Sequence, residues 1–442
     1  MSALAQLTKW GGGEVSGSDR RFDLSPADPD RRKLEKEGIA IFPQDGSGVA
    51  AAAEIVVSAA VESLTPDLAA ARQLGLPVST RARFLNRMAE GRLGLAVAGT
   101  NGKSTTTALV AWVLEYAGLD PSLAVGACLR GQRPGLGNAR LGKSPWFCFE
   151  ADESDDGLED YHPEVGVVTG ITADHLDLRS LKRIFSGFAS NCRRGLVVNG
   201  DCPRAASLKS SGASRLVFAL DRKGDYRPED LELGAAGSRF RIGEQSFFLP
   251  LPGKHNAHNA LAALAAVSFL NISLKTAAAA LKTFPGLKRR LETVGEGNGI
   301  RVVDDYAHNA AKISAALQGA RLLGGRVLAV YQPHGFLPLW SFRRELAAAF
   351  SRSLHEGDVL ILLPVYYAGG TVKKRFGSEE LAALIKTSAR LELRSREAAP
   401  ERLAALARPG DVILVMGARD PGLGLFARLI AGNLGIGVER NE

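Results

Sequence analysis

The chain has 442 residues, of which 45% are hydrophobic and 23% charged, enough apolar surface for two or three cores and too much for a disordered chain. Its net charge of +8 arises from scattered basic residues, which argues against a nucleic-acid partner. Either the excess favours anionic small substrates, such as a nucleotide or a sugar diphosphate, or it is a basic surface without functional meaning.

The opening MSALAQLTKWGGG lacks the basic start and apolar centre of a signal peptide, and no stretch reaches the length of a membrane span. No membrane partner is expected, and the cytosol is the expected compartment. Cys128, Cys148, Cys192 and Cys202 show neither CxxC pairing nor zinc-finger spacing and read as free thiols.

In chain order, a short helix through Trp10 and a Gly11-Gly12-Gly13 break precede a strand, EVSGSD, and an alternation of helices and strands. Nucleotide-binding α/β domains ordinarily open with a strand and a glycine-rich loop. This chain begins at what reads as the following helix, so the first domain, 1–90, is expected to be incomplete at its N-terminus. A second unit starts near Gly91 with the strand LGLAVAG, a glycine turn and the helix STTTALVAWVLEYAG. The strands WFCFEA, VGVVTG and GLVVNG follow, then the helix NALAALAAVSFL, and the domain is expected to span 91–292. The last third, 293–442, repeats the rhythm with strands IRVVDD, RVLAVYQ, DVLILLPV and DVILVMG and a helix at SFRRELAAAFSRSL. Such wholly apolar strands are buried on both faces. A parallel sheet between helices is therefore expected, with ligands beyond the strand carboxyl ends, at DDYAHNA, QPHGF and GARDPG.

Gly99-Thr100-Asn101-Gly102-Lys103-Ser104-Thr105 lies between a strand and a helix, where backbone amides and the helix dipole hold phosphate. Lys103 would neutralise phosphate and the Ser104 hydroxyl would reach magnesium. A strict Walker loop needs glycine where Val97 stands, so the loop is a shortened one, or else an ordinary glycine turn. Glu150-Ala151-Asp152-Glu153-Ser154-Asp155-Asp156 closes an apolar strand and offers carboxylates for a hard cation, or an acidic helix cap. His175, in Asp174-His175-Leu176-Asp177, follows a strand and is a candidate ligand at the same edge, against the ordinary structural role of a lone histidine.

AGTNGKSTTT, EADESD, ITADHLD, LPGKHNAHNALAA, FPGLKRRLE and VVDDYAH occur in this order across nearly the whole chain. In these motifs the sequence resembles the Mur ligases, which add amino acids to a nucleotide-linked muramic acid. Within that family, VSGSD, EADESD and GDVILVMGARD are most similar to members that add L-alanine to UDP-N-acetylmuramate, with tripeptide-recycling ligases as near relatives. The resemblance implies a three-domain α/β architecture: an incomplete Rossmann-like domain, a P-loop ATPase-like centre and a C-terminal Rossmann-like domain that binds the amino acid. It implies ATP and Mg2+ as cofactors, a UDP-sugar carboxylate and an amino acid as small-molecule partners, and a monomer or weak homodimer.

Residue by residue, the resemblance makes Ser104, Glu150 and His175 magnesium ligands. It sets Lys103 on the ATP phosphates, Asn259 on adenine with His255 beside the nucleotide, and Arg290 on the γ-phosphate. Asp305 and His308 would close over ATP from the third domain. The local alternatives are helix capping for His255, His258 and the asparagines, and a solvated basic turn for Arg290. Ser18, Asp19 and Ser58 are candidate UDP-sugar contacts or simple turn residues, and His334 and Arg419 are candidate substrate contacts. The implied reaction is attack of a carboxylate on the γ-phosphate, then of an amine on the acyl phosphate, in a site closed to water.

The match departs in places. Asn101 replaces the histidine that the alanine- and tripeptide-adding members carry in the loop. The arginines that alanine-adding members carry after QPH are replaced, since Gly335, Phe336, Leu337 and Pro338 follow Gln332-Pro333-His334. Arg343 or Arg419 would have to grip an amino-acid carboxylate instead, or lie as surface residues. Competing readings are therefore a ligase with a muramyl-peptide or other amine acceptor, and a nucleotide-binding homologue that has lost catalysis.

Overall fold

The computed structural model describes residues 1–438 apart from 60, 132, 156, 173–177 and 368–375. The chain divides into two compact units. One comprises Met1–Asp230, Phe240–Phe248 and His258–Pro285; the other comprises Leu231–Arg239, Leu249–Ala257 and Gly286–Glu442.

The first unit is built on a seven-stranded sheet in the order Ser214–Phe218, Gly195–Asn199, Val165–Val168, Leu93–Ala98, Trp146–Glu150, Ser122–Ala124, Ala139–Arg140. Its neighbours run parallel except for the last pair. The expected strands are present because their apolar runs are buried on both faces: Leu95, Ala96, Val97, Val167, Val168, Val197 and Val198 are all fully enclosed. The helix Lys103–Tyr116 also buries most of its circumference, from Ser104 through Leu114.

Ahead of this sheet, Ser16–Ser18 pairs with Ala40–Phe42 and Ile55–Val57 with Val78–Thr80, both parallel. These short pairs are tied to the sheet-bearing segment by polar contacts as well as by a shared core. The fully buried Gln6 amide donates to Asn138 Oδ1 (2.8 Å) and accepts from the Leu136 N–H (2.8 Å). Arg81 pairs with Asp155, and Tyr161 Oη donates to the Ala82 carbonyl at 3.3 Å. Leu4, Leu7 and Leu85 share one apolar cluster with Phe147, Phe185 and Phe188.

The second unit carries another seven-stranded sheet, ordered Arg390–Leu393, Val359–Leu362, Arg326–Tyr331, Asp411–Met416, Ile300–Asp305, Glu292–Gly297, Gly437–Val438. Its first five strands are parallel and the last two pairings antiparallel. One face packs on Leu317, Leu346, Phe350 and Leu381, the other on Leu403, Phe426 and Ile430. The chain leaves Arg326–Tyr331 toward the first face and Asp411–Met416 toward the second, so the segments after these adjacent strands diverge at the carboxyl edge, the place where such sheets take ligands.

The helix after the QPH motif runs from Phe336 to Ser353, five residues ahead of its expected start at Ser341. Pro338 sits in its first turn, where a missing N–H costs nothing. A three-stranded sheet of Glu229–Gly234, Gly237–Ile242 and Gln245–Leu249 has no counterpart in the sequence expectations. All four cysteines are free, and no helix among the described residues is long and apolar enough to cross a membrane.

Candidate active site

The strand Leu93–Ala98 ends at Gly99, and the helix begins at Lys103 with Gly102 as its left-handed N-cap. Gly99 (φ 126°) and Gly102 (φ 87°) both occupy backbone regions that suit glycine. Space demands glycine as well. A Cβ on Gly99 would lie 2.2 Å from Thr169 Oγ1, and one on Gly102 would lie 2.5 Å from Asn259 Oδ1.

The loop is held from behind by the end of the neighbouring strand. Thr169 Oγ1 shares its proton between the Asn101 carbonyl (2.6 Å) and the Ala98 carbonyl (3.1 Å). The Thr100 N–H donates to the Gly170 carbonyl (3.0 Å), and the Thr172 N–H donates to Thr100 Oγ1 (2.9 Å). Thr169 is fixed in turn by Asn199, whose Nδ2 donates to its carbonyl at 2.7 Å. With its shape set by these side chains, the loop has its helix N-terminus available for an anion.

Ser104 and Glu150 meet as expected: the Ser104 hydroxyl donates to Glu150 Oε2 at 2.8 Å, and the Gly126 N–H donates to the same oxygen at 2.9 Å. Both side chains are buried. A hydroxyl and a carboxylate oxygen side by side are hard donors that suit magnesium. His175 and its flanking acids lie outside the described residues, so its place as a third ligand is not part of this geometry. Among the described residues no group of three or more histidine, cysteine or acidic side chains is arranged for a metal.

Lys103 pairs with Glu153 at 2.7 Å and lies 3.6 Å from Asp152. Burial works against its ammonium, but Glu153, Asp152 and Glu150 outweigh it and hold the pKa well above the usual lysine range. Burial likewise opposes ionised Asp152, yet Lys103 and the Ser154 hydrogen bonds bring that carboxyl down to about 2. Glu153 stays raised by burial, with Lys103 only partly compensating. The sequence offered Asp152 and Glu153 as possible cation ligands; here they are the partners of the lysine.

Asn259 lies against the phosphate loop and the helix that follows it, close behind Gly102, with its Oδ1 accepting from Thr106 Oγ1 at 3.5 Å. His258 faces Asp201 at 3.4 Å, its ring tilted against that of Phe218 with the centres 4.8 Å apart. Asp201 accepts from the Leu220, Asp221 and Arg222 N–H groups. His255 packs on Gly253, where a Cβ would come within 2.8 Å of its ring. Of the candidates near the N-terminus, the Ser18 hydroxyl donates to Asp67, Asp19 caps the helix Arg20–Leu24, and Ser58 ends the strand Ile55–Val57 partly exposed.

In the second unit, Arg290 occupies a turn whose neighbours Arg289 (φ 59°) and Leu291 (φ 46°) are both left-handed. Asp305 holds that turn: its two oxygens accept from the Leu291 and Ala307 N–H groups, each at 2.7 Å. Both oxygens are thus engaged by backbone, which makes Asp305 a support of the turn. His308 donates from Nδ1 to the Tyr306 carbonyl (2.9 Å) and meets the His334 ring edge-on at 5.3 Å. Burial, then Lys312, keeps its imidazole pKa well below the usual histidine value.

Gln332 Oε1 is buried at the same edge with no hydrogen-bond partner among the described residues. Arg343 lies over Trp340 with its guanidinium carbon 3.6 Å from the ring centre and bonds the Trp340 carbonyl, while Arg419 is exposed. Sequence reasoning missed Thr169 and Asn199 as site groups; each is a single polar residue at a strand end, without a spacing pattern to mark it.

Fold and site together define an α/β protein with a short phosphate loop at the carboxyl edge of a parallel sheet. Comparison with known proteins makes the class specific, with matches to the Mur ligase catalytic domain over residues 1–92, the Mur ligase middle domain over 97–267 and the Mur ligase glutamate ligase domain over 289–419. The chain belongs to the Mur ligase family. The UDP-N-acetylmuramate–L-alanine ligase of Acidothermus cellulolyticus is 38% identical over 438 residues, covering 95% of this chain and 89% of that one. Its counterpart in Rhizobium etli is 34% identical over 442 residues, covering 95% and 91%. Among solved structures, the UDP-N-acetylmuramate–alanine ligase of Thermotoga maritima superposes with a TM-score of 0.80 at 24% identity, over 98% of this chain and 96% of that one. A murein peptide ligase from Psychrobacter arcticus gives 0.70 at 22% identity, over 98% and 96%. These two likenesses establish the fold.

Proposed function

We propose that this chain joins the carboxylate of UDP-N-acetylmuramate to L-alanine, with cleavage of ATP to ADP and phosphate. The observation that carries the reading is the agreement of the phosphate-loop geometry with 34–38% identity, across 95% of the chain, to ligases of that specificity.

In this reading the backbone amides of residues 99–104 bind the ATP phosphates. Lys103, already fully ionised, neutralises charge where two anions must approach. Ser104 and Glu150, with His175 as a proposed third ligand, hold Mg2+, which supplies Lewis-acid polarisation of the phosphoryl oxygens. Asn259, which lies behind Gly102, reads the adenine, and His255 lies beside the nucleotide. Arg290 binds the γ-phosphate, while Asp305, which also supports the Arg290 turn, and His308 close over ATP. The carboxylate attacks the γ-phosphorus and ADP leaves. The amine then attacks the acyl carbon and phosphate leaves with one oxygen from the carboxylate. Residues 1–90, with Ser18, Asp19 and Ser58, receive the UDP-sugar, and His334 and Arg419 face the amino acid. The work is done in the cytosol.

A second reading keeps the chemistry and changes the amine. It is favoured by Arg343, which spends its guanidinium on Trp340, and by the unpaired Gln332 oxygen, which seeks a donor rather than a carboxylate. Phosphate release measured with ATP, UDP-N-acetylmuramate and a panel of amines separates the two. The first predicts L-alanine as the preferred acceptor over glycine, L-serine and peptides; a muramyl peptide substrate or another amine preferred by tenfold would establish the second.

A further inference from the structure

We infer that Tyr306 is a positioning residue, holding the Arg290 guanidinium by the face of its ring so that the arginine's N–H groups stay free for phosphate. The inference rests on the proposed phosphate contact of Arg290.

Two adjacent arginines share this ring, with guanidinium carbons 5.1 Å (Arg289) and 5.2 Å (Arg290) from its centre. Their donors are used differently. Arg289 binds Asp304 (3.3 Å), the Gly417 carbonyl (2.7 Å) and the Asp420 carbonyl (3.4 Å). Arg290 makes no hydrogen bond or ion pair with any described residue, and its ring contact is what the structure records for it. A guanidinium carries five N–H donors in one plane, and a cation–π contact draws on the cation's charge without using these donors in hydrogen bonds, leaving them for a bidentate anion.

The backbone is built to the same end. Non-glycine residues in the left-handed region cost about 1–3 kcal/mol each and persist only where their surroundings impose them. Here the impositions are the Tyr306 N–H to the Arg289 carbonyl (2.8 Å), the Leu291 N–H to Asp305 and the Arg289 N–H to Glu292 (2.8 Å). Tyr306 thus fixes the turn through its backbone and aims Arg290 through its ring. Asp305 attracts the guanidinium without a hydrogen bond to it, its two oxygens being directed at the Leu291 and Ala307 N–H groups.

The test is the dissociation constant of Mg-ATP for the full chain, measured by calorimetry for single and double variants. Arg290→Ala should weaken binding by about tenfold, as loss of a charge-assisted pair does. Tyr306→Leu should weaken it by roughly three- to tenfold, and the double variant no further than Arg290→Ala alone. Tyr306→Phe and Tyr306→Trp, which keep an aromatic face, should bind like the wild type. If Arg290→Ala binds normally, the phosphate role fails and the inference with it. If Arg290→Ala is weak but the leucine variant binds normally, or the two losses add, the inference alone is overturned. Should the leucine variant not fold, the Phe and Trp variants decide: either one binding as weakly as Arg290→Ala overturns it.

Discussion

Gly102 bears on the phosphate loop in two independent ways, through its φ of 87° and through the 2.5 Å that would separate a Cβ from Asn259 Oδ1. Gly102→Ala is therefore expected to cost about 1–3 kcal/mol in nucleotide affinity, and Asn259→Ala in the same chain to recover only the part due to the clash. A titration of Mg-ATP checks both, and wild-type affinity for Gly102→Ala would refute the loop geometry. Glycine, lysine and serine at these positions were legible in the sequence, because a phosphate loop advertises itself by spacing. Thr169 was not, since its role exists only when the neighbouring strand is laid beside the loop. Glu153 could be seen as an acid in the right motif, but which cation it meets is decided by the fold.

Asp304 offers a pH signature at the same scale. Burial raises its pKa to about 6, with Glu292 and Asp305 adding to the shift and Arg289 opposing it. The folded protein thus binds a proton that the unfolded chain has lost above about pH 4, so the contribution to stability is largest at low pH and is lost as pH rises through 6. Unfolding midpoints measured from pH 4 to 7 should show this fall in the wild type, and Asp304→Asn should flatten it. A parallel slope in both proteins would show that Asp304 is not its source.

Whole strands were the most readable feature of the sequence, and edges the least. IRVVDD, RVLAVYQ and DVILVMG form adjacent parallel strands because runs apolar on both sides have nowhere else to be buried. The Glu229–Leu249 strands mix exposed, half-buried and buried residues within five or six positions each, so no long apolar run marked them. The helix Phe336–Ser353 illustrates the same limit. Its amphipathic body was plain, while its first turn holds Gly335 as N-cap and Pro338, residues that read as loop. Within this helix Phe350 is fully buried, its ring 5.2 Å from that of Tyr331. Phe350→Ala should cost about 3–5 kcal/mol in the stability of the second unit, followed by denaturant unfolding, and a loss under 1 kcal/mol would mean the core is not packed there as described.

At the scale of the whole molecule, the chain gathers into two compact units, and within the first the short paired strands before Gly91 share a core and an ion pair with the segment that follows. The order of motifs along the chain was the strongest functional signal, and family membership follows from matches to three Mur ligase domains. The defining feature of the proposed reaction is that phosphate leaves ATP by way of the substrate carboxylate. It is tested most directly by labelling that carboxylate of UDP-N-acetylmuramate with oxygen-18 and examining the phosphate released in the presence of L-alanine. Phosphate carrying one labelled oxygen per turnover is the predicted result, and release of unlabelled phosphate at the rate of amide formation would contradict it.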